Sequence, residues 1–182
     1  MGYDEFEMKS NEKFIVQGGN SIHGEITPSG NKNEALPVLA AVLLTEDPVI
    51  LHNVPDIADI RSMMDLLESL GVIIEEIGPH SLRFESCQLT HCDPDKVAAR
   101  EIRGSFLLAG PMLARYGCIR LPAPGGDRIG MRPVQTHLLA LRQLGANIEL
   151  DSEGQYVMKT DRLCGTAIYL DEASVMATEN AI

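Results

Sequence analysis

The sequence repeats itself, and that limits the folds open to it. Leu70-Gly71-Val72-Ile73-Ile74-Glu75 returns as Leu144-Gly145-Ala146-Asn147-Ile148-Glu149, a shift of 74 positions. Apolar helix patterns that start near Asn33 and Arg103 lie about the same distance apart, and Thr178-Glu179-Asn180 falls at the next interval. The unit reads helix, strand, helix, strand, strand, strand; it is about 70 residues long and occurs roughly two and a half times. If such units pack around a pseudo-threefold axis, the helix starts at Lys32-Asn33, Arg103-Gly104-Ser105 and Thr178-Glu179-Asn180 converge on one anion-binding point.

In chain order, residues 1–12 are polar and acidic and read as a disordered leader. Phe14-Ile15-Val16-Gln17 and Ile22-His23-Gly24-Glu25-Ile26 read as short strands. A helix over 34–44 must begin near Asn33 or Glu34, because Pro37 is tolerated only in a first turn. Strand 49–52 leads to a helix capped by Asp56 and stopped by Gly71, with Ile57, Ile60, Met63, Met64, Leu67 and Leu70 as its buried stripe. Strands 72–77 and 81–85 follow, then a cap-plus-proline signal at Asp93-Pro94. A second apolar helix runs from about Arg103 to Gly117. Strand 118–121, helix 133–144, strands 146–150, 155–160 and 166–170, and a third helix start in 174–182 complete the chain.

Between strand 118–121 and the next helix lies Pro124-Gly125-Gly126-Asp127-Arg128-Ile129-Gly130-Met131-Arg132-Pro133. Three glycines free the backbone for close approach to a ligand. Arg128 and Arg132 bind phosphate or carboxylate bidentately, and Arg132 abuts a helix start that favours anions. A solvated surface turn has the same composition, so the residues alone leave both readings open.

A net charge of −11 over 182 residues argues against nucleic acid, which needs a basic face. No apolar run is long enough to span a bilayer and no signal segment opens the chain, so a cytoplasmic protein without membrane contact is expected. The four cysteines form no CxxC pair and are expected to be reduced. Cys87, His91 and Cys92 lack a second ligand pair, so no metal site is expected. The five histidines carry no triad or metal pattern and read as structural or exposed. The glycines at 125, 126 and 130 do not form a dinucleotide-binding fingerprint.

The repeat, the Ser29-Gly30-Asn31-Lys32-Asn33-Glu34-Ala35-Leu36-Pro37 start, the run Asn53-Val54-Pro55-Asp56-Ile57-Ala58-Asp59-Ile60 and the Pro124–Pro133 loop together resemble the UDP-N-acetylglucosamine 1-carboxyvinyltransferase family. The resemblance runs from about Lys13 to the last residue. It implies an α/β fold of βαβαββ-type units packed as an inside-out α/β barrel, two such domains in the whole enzyme, and no cofactor. Residues 31–182 would supply most of the first domain, and the strands within 13–30 are of the kind that crosses to the second. The partners implied are phosphoenolpyruvate, UDP-N-acetylglucosamine and the second domain of the same enzyme. The reaction is transfer of the enolpyruvyl group to the sugar 3-hydroxyl with release of phosphate, the first committed step of peptidoglycan synthesis.

By the same resemblance, Lys32 and Asn33 contact phosphoenolpyruvate, Arg103 lies near the bound substrates and Arg132 contacts phosphate. Pro133, Val134, Gln135 and Thr136, with Ser174 and Val175, line the nucleotide-sugar site. Asp127 stands where most members carry a reactive cysteine, and it takes the part of general acid without forming the adduct that makes that cysteine fosfomycin-sensitive. Lys32, Asp127 and Arg132 are thus the catalytic candidates. Gln135, Glu172 and Met176 depart from the Asp, Lys and Gly usual there. All three fall on the nucleotide-sugar side, which opens two rival expectations: a different nucleotide acceptor, or a non-catalytic anion-binding paralogue.

Overall fold

The computed structural model describes residues 15, 17–19, 21–87, 89, 91–124 and 134–182. Its first unit is α1 (Lys32–Ala41), running on as a 3-10 turn Val42–Leu44, then β1 (Val49–Leu51), α2 (Ala58–Leu70), β2 (Ile73–Gly78) and β3 (Ser81–Glu85). A connector helix, α3 (Lys96–Glu101), leads to the second unit. That unit comprises a 3-10 segment Arg103–Leu108 continuing into α4 (Ala109–Tyr116), then β4 (Cys118–Leu121), α5 (Gln135–Gln143), β5 (Asn147–Leu150) and β6 (Tyr156–Lys159). The third begins with α6 (Val175–Ala181).

The two complete units share one topology. Each has a three-stranded antiparallel sheet with the middle strand last in sequence, in the orders β1-β3-β2 and β4-β6-β5. Their second helices end alike. Gly71 at φ 105° and Gly145 at φ 108° adopt the left-handed conformation that glycine enters without a Cβ penalty. Val72 N donates to Leu67 O at 3.0 Å and Ala146 N to Leu141 O at 2.9 Å, the six-to-one bond that closes such an end.

One apolar core runs through both units. Leu39 and Leu43 of the first lie in it with Phe106, Leu108 and Met112 of the second, all buried. On α2 the buried stripe is Ile60, Met63, Leu66, Leu67 and Leu70, a 3.6-residue period. Ile57 lies outside this stripe, 40% exposed, because it precedes the helix.

Several local expectations are corrected. Pro37 is the sixth residue of α1, in its second turn, and has no N–H for the Asn33 carbonyl four residues back. Asp56 does not cap α2; its carboxylate accepts from Arg61 Nε at 2.6 Å, and Ile57 occupies the cap position without a side-chain bond. The cap of the next helix is Asp95, accepting from Val97 N and Ala98 N, so Asp93-Pro94 precedes the start by two residues. Residues 22–26 form no strand, and Ile22 and Ile26 are almost fully exposed, with no ladder partner among the described residues; the strand expected at 14–17 falls partly on residues outside those described. Residues 166–170 likewise form no strand, which shortens the unit to five elements.

The cysteine expectation is also corrected. Cys92 and Cys118 form a disulfide with Cα atoms 5.7 Å apart, while Cys87 and Cys164 are free and exposed. Arg120 N donates to Cys92 O at 2.9 Å, so the segment at 92 lies along the edge of β4 and brings the sulfurs together. Among the described residues no helix is long and apolar enough to cross a membrane.

The glycine stops give a direct test of the repeat. Gly71→Ala and Gly145→Ala should each lower stability by about 1–2 kcal/mol, the left-handed penalty for a residue with a Cβ. Urea unfolding should find the two losses similar.

Candidate functional site

Three helix starts from successive units line one cavity of about 340 Å³. α1 contributes Lys32, Asn33 and Leu36; the 3-10 segment contributes Arg103, Gly104 and Leu107; α6 contributes Val175, Met176 and Glu179. Asp59 from α2 and Glu101 from the end of α3 complete its wall. Asn31 sets the position of Lys32 and Asn33, its side chain accepting from Asn33 N at 2.8 Å as the N-cap of α1. The convergence expected from the repeat is present for the starts at Lys32-Asn33 and Arg103-Gly104, but the third is corrected: α6 starts at Val175, three residues before Thr178, and of Thr178-Glu179-Asn180 only Glu179 lines the cavity.

The charges in this cavity are mixed. Lys32 Nζ lies 2.7 Å from Asp59 Oδ2, and Ser62 Oγ lies 3.4 Å from Glu101 Oε2. Burial pushes the Glu179 carboxyl above its ordinary range. Two cations thus share the space with three carboxyl groups, and an entering anion meets both signs.

Beneath the cavity a buried amide ties its walls together. Asn180 Oδ1 accepts from Gly110 N at 2.8 Å, and its Nδ2 lies 2.8 Å from both Phe106 O and His137 Nδ1. The approach depends on Gly110, where a Cβ would stand 2.8 Å from the Asn180 carbonyl oxygen. With Oδ1 committed to Gly110 N–H, Nδ2 is the donor to His137, so Nδ1 accepts and the imidazole is neutral with its proton on Nε2. That Nε2 is buried and has no hydrogen-bond partner among the described residues. Burial first, and the Arg103 charge second, hold the His137 pKa down to about 4. His137 stacks edge-on against Phe106 at 5.4 Å, a structural histidine in the core.

Of the sequence candidates, Lys32, Asn33, Arg103 and Val175 are brought to this one cavity. Ser174 caps α6, its hydroxyl accepting from Ala177 N at 3.3 Å. Val134 is buried and Gln135 exposed at the start of α5. Thr136 is buried, and its hydroxyl lies 3.2 Å from Asp171 Oδ1 and 3.0 Å from Glu172 Oε1, pinning α5 to the segment before α6. Val134, Gln135 and Thr136 do not line the cavity of Lys32 and Arg103. Asp127, Arg128, Arg132 and Pro133 lie outside the described residues. Cys92 is committed to its disulfide, and no group of three metal-ligating side chains occurs among the described residues. Asp59 and Glu101 are not among the candidates, and Glu179 is read only as part of a helix start, not as a carboxyl group facing the site. Asp59 was present in the Asn53–Ile60 run, but only the packing of α2 against α1 reveals what it faces.

Solved structures share this architecture. The enolpyruvyl transferase NikO from Streptomyces tendae superposes with a TM-score of 0.68 at 22% identity, over 81% of this chain and 32% of that one. An EPSP synthase from Acinetobacter baumannii gives 0.66 at 18% identity, over 87% and 37%. These likenesses establish the fold, that of the enolpyruvyl transferases. The sequence model of EPSP synthase (3-phosphoshikimate 1-carboxyvinyltransferase) matches residues 16–182, and the chain belongs to that family. Within it, the chain is 46% identical over 170 residues to the UDP-N-acetylglucosamine 1-carboxyvinyltransferase of Bradyrhizobium diazoefficiens and 45% identical over 170 residues to that of Treponema denticola. Each match takes in 93% of this chain and 39% of the relative, so the chain spans about two fifths of their length.

The His137 environment fixes a pH dependence. The unfolded imidazole takes a proton below about pH 6.5, whereas the folded one refuses it until about pH 4. Stability is therefore full above that window and falls as pH drops from 6.5 toward 4, by about 3 kcal/mol at most. Denaturant unfolding at stepped pH should show this slope, and His137→Leu should flatten it.

Proposed function

We propose that this chain forms most of the first domain of an enzyme that transfers the enolpyruvyl group of phosphoenolpyruvate to the 3-hydroxyl of UDP-N-acetylglucosamine. The observation that carries the reading is the meeting of Lys32, Asn33 and Arg103, from two successive units, in one cavity. The 45–46% identity to UDP-N-acetylglucosamine 1-carboxyvinyltransferases supports that acceptor over others. The enzyme would work in the cytoplasm at the first committed step of peptidoglycan synthesis. Because the chain spans about two fifths of its relatives, the activity belongs to the longer protein, with a second domain closing over the substrates.

In this reading Lys32 and Arg103 hold the anionic groups of phosphoenolpyruvate, and Arg132 contacts its phosphate from the glycine-rich loop. Pro133, Val134, Gln135 and Thr136, with Ser174 and Val175, border the nucleotide-sugar. Asp127 gives a proton to the methylene carbon of phosphoenolpyruvate while the sugar hydroxyl oxygen adds to the adjacent carbon and its own proton leaves to a base. The new methyl group then returns a proton, the carbon–carbon double bond re-forms and the carbon–oxygen bond to phosphate breaks. Arg128 and Arg132 follow Asp127 in the sequence, and such cations favour an ionised carboxyl, so the substrate's negative charge must supply the proton affinity this role needs.

Two measurements test this. The full-length protein should release phosphate from phosphoenolpyruvate only when UDP-N-acetylglucosamine is present, and Lys32→Met should lower kcat/KM about 100-fold. Phosphate release with no acceptor at all would overturn the reading. With a carboxylate at 127 the enzyme should resist fosfomycin, and Asp127→Cys should gain time-dependent inactivation with one adduct per chain; a stoichiometric adduct in the parent protein would contradict the role given to Asp127.

A further inference from the structure

Asp59 is the second residue of α2, and its carboxylate meets the Lys32 ammonium at 2.7 Å inside the cavity. Both side chains stay in contact with water, at 43% and 40% exposure. An ion pair so placed adds little to the stability of the fold. The end of α2 is held by other means, with Arg61 on Asp56 before the helix and the Gly71 stop after it. What the pair does control is the direction of a flexible side chain. Lysine carries its charge on a four-carbon stem with three rotatable donors and has no fixed geometry of its own. α1 places the Lys32 backbone at the rim, and Asp59 decides where the ammonium points.

We infer that Asp59 is a positioning residue for Lys32: an internal counter-ion that keeps the ammonium turned into the cavity and shares it with the anionic group of the incoming substrate. The inference rests on the reading of the cavity as the phosphoenolpyruvate site. It has a consequence that a structural role lacks. Removing the carboxylate charge takes away both a competitor for Lys32 and a repulsion against the anion, so anion binding tightens. The same change frees the ammonium to swing, so turnover falls. Affinity and kcat therefore move in opposite senses. The other two carboxyl groups of the wall differ from Asp59 in their surroundings, Glu101 lying against Ser62 and Glu179 being pushed toward its neutral form by burial.

The test uses the full-length protein, inorganic phosphate as probe in calorimetry, and steady-state turnover. Asp59→Asn should bind phosphate about threefold to fivefold more tightly, within the range an exposed ion pair is worth, while kcat drops about tenfold. Asp59→Glu, which keeps the charge on a longer arm, should return part of kcat and the parent's phosphate affinity. In a Lys32→Met background, Asp59→Asn should leave kcat unchanged and tighten phosphate by less than it does in the parent, since only the repulsion is then relieved, and thermal melting of each variant checks that the fold is intact. If Lys32→Met weakens phosphate binding but Asp59→Asn leaves it unchanged or weaker, the inference is overturned and the cavity reading stands. If Lys32→Met leaves phosphate binding unchanged, the cavity reading falls and takes the inference with it.

Discussion

The apolar helix that opens each unit carries more hydrophobic surface than its own three-stranded sheet can cover. Leu36, Leu39, Ala40, Val42 and Leu43 of the first unit are buried, and so are Phe106, Leu107, Leu108, Met112 and Leu113 of the second, in one continuous core. At about 25 cal/mol per Å² of apolar surface, neither helix is stable facing water, so each unit must lean on the next. Once the units pack this way, the starts of their first helices are forced together, and the cavity with Lys32, Asn33 and Arg103 results from that packing. The polar ends are closed in the same step. Arg115 of α4 donates to the carbonyls of Leu43 and Thr45 at 2.8 and 2.7 Å, and Ser86 reaches Val42 O at 3.0 Å, satisfying the free carbonyls where the first helix stops.

How much of this was legible in the sequence depends on the range of the interaction that decides it. Gly71 and Gly145 were readable because a left-handed stop is a local requirement and glycine meets it at both positions. The start of α1 was readable to within two residues, since Asn31 and Pro37 act locally, although Pro37 sits a turn deeper than its chemistry suggests. The segments at 22–26 and 166–170 were misread as paired strands because alternation of side chains shows which face is apolar, not whether a partner backbone is present. The Cys92–Cys118 disulfide could not be seen, as 26 residues separate the sulfurs and only the course of the chain along β4 joins them. At the site, Lys32, Asn33 and Arg103 followed from the repeat and the family motifs. Asp59 and the Asn180–His137 pair did not, because their meaning lies in which helix faces which.

Asn180 shows how the third unit enters the structure through polar as well as apolar contact, with Ala177 buried and Met176 packed against the core. Its amide reaches Gly110 and Phe106 of the second unit's first helix and His137 of its second. A buried amide satisfied on both its oxygen and its nitrogen fixes one arrangement of the groups around it, where aliphatic packing tolerates small shifts. His137 takes part only in its neutral form, and Arg103 nearby helps to keep it so. The cation that faces the cavity above therefore also guards the protonation state of the joint below. A change at Arg103 would act on the charge in the cavity and on core electrostatics together.

On the proposed reading, an acidic protein with a net charge of −11 would have to bind an anionic substrate by local arrangement. The cavity does not answer with an excess of positive charge, since Lys32 and Arg103 stand among Asp59, Glu101 and Glu179. The mixture has a physical logic. Two unbalanced cations in a small cavity would repel each other and attract any phosphate in the cell, whereas carboxylates beside them lower that cost and leave the site occupied by its own side chains. Under the proposed function, binding would be an exchange of counter-ions, in which the substrate gains Lys32 to the extent that Asp59 yields it. An exchange of this kind would weaken ground-state affinity and, if the proposed reaction holds, favour the arrangement in which charge builds up on the departing phosphate, the arrangement an enzyme must bind most tightly.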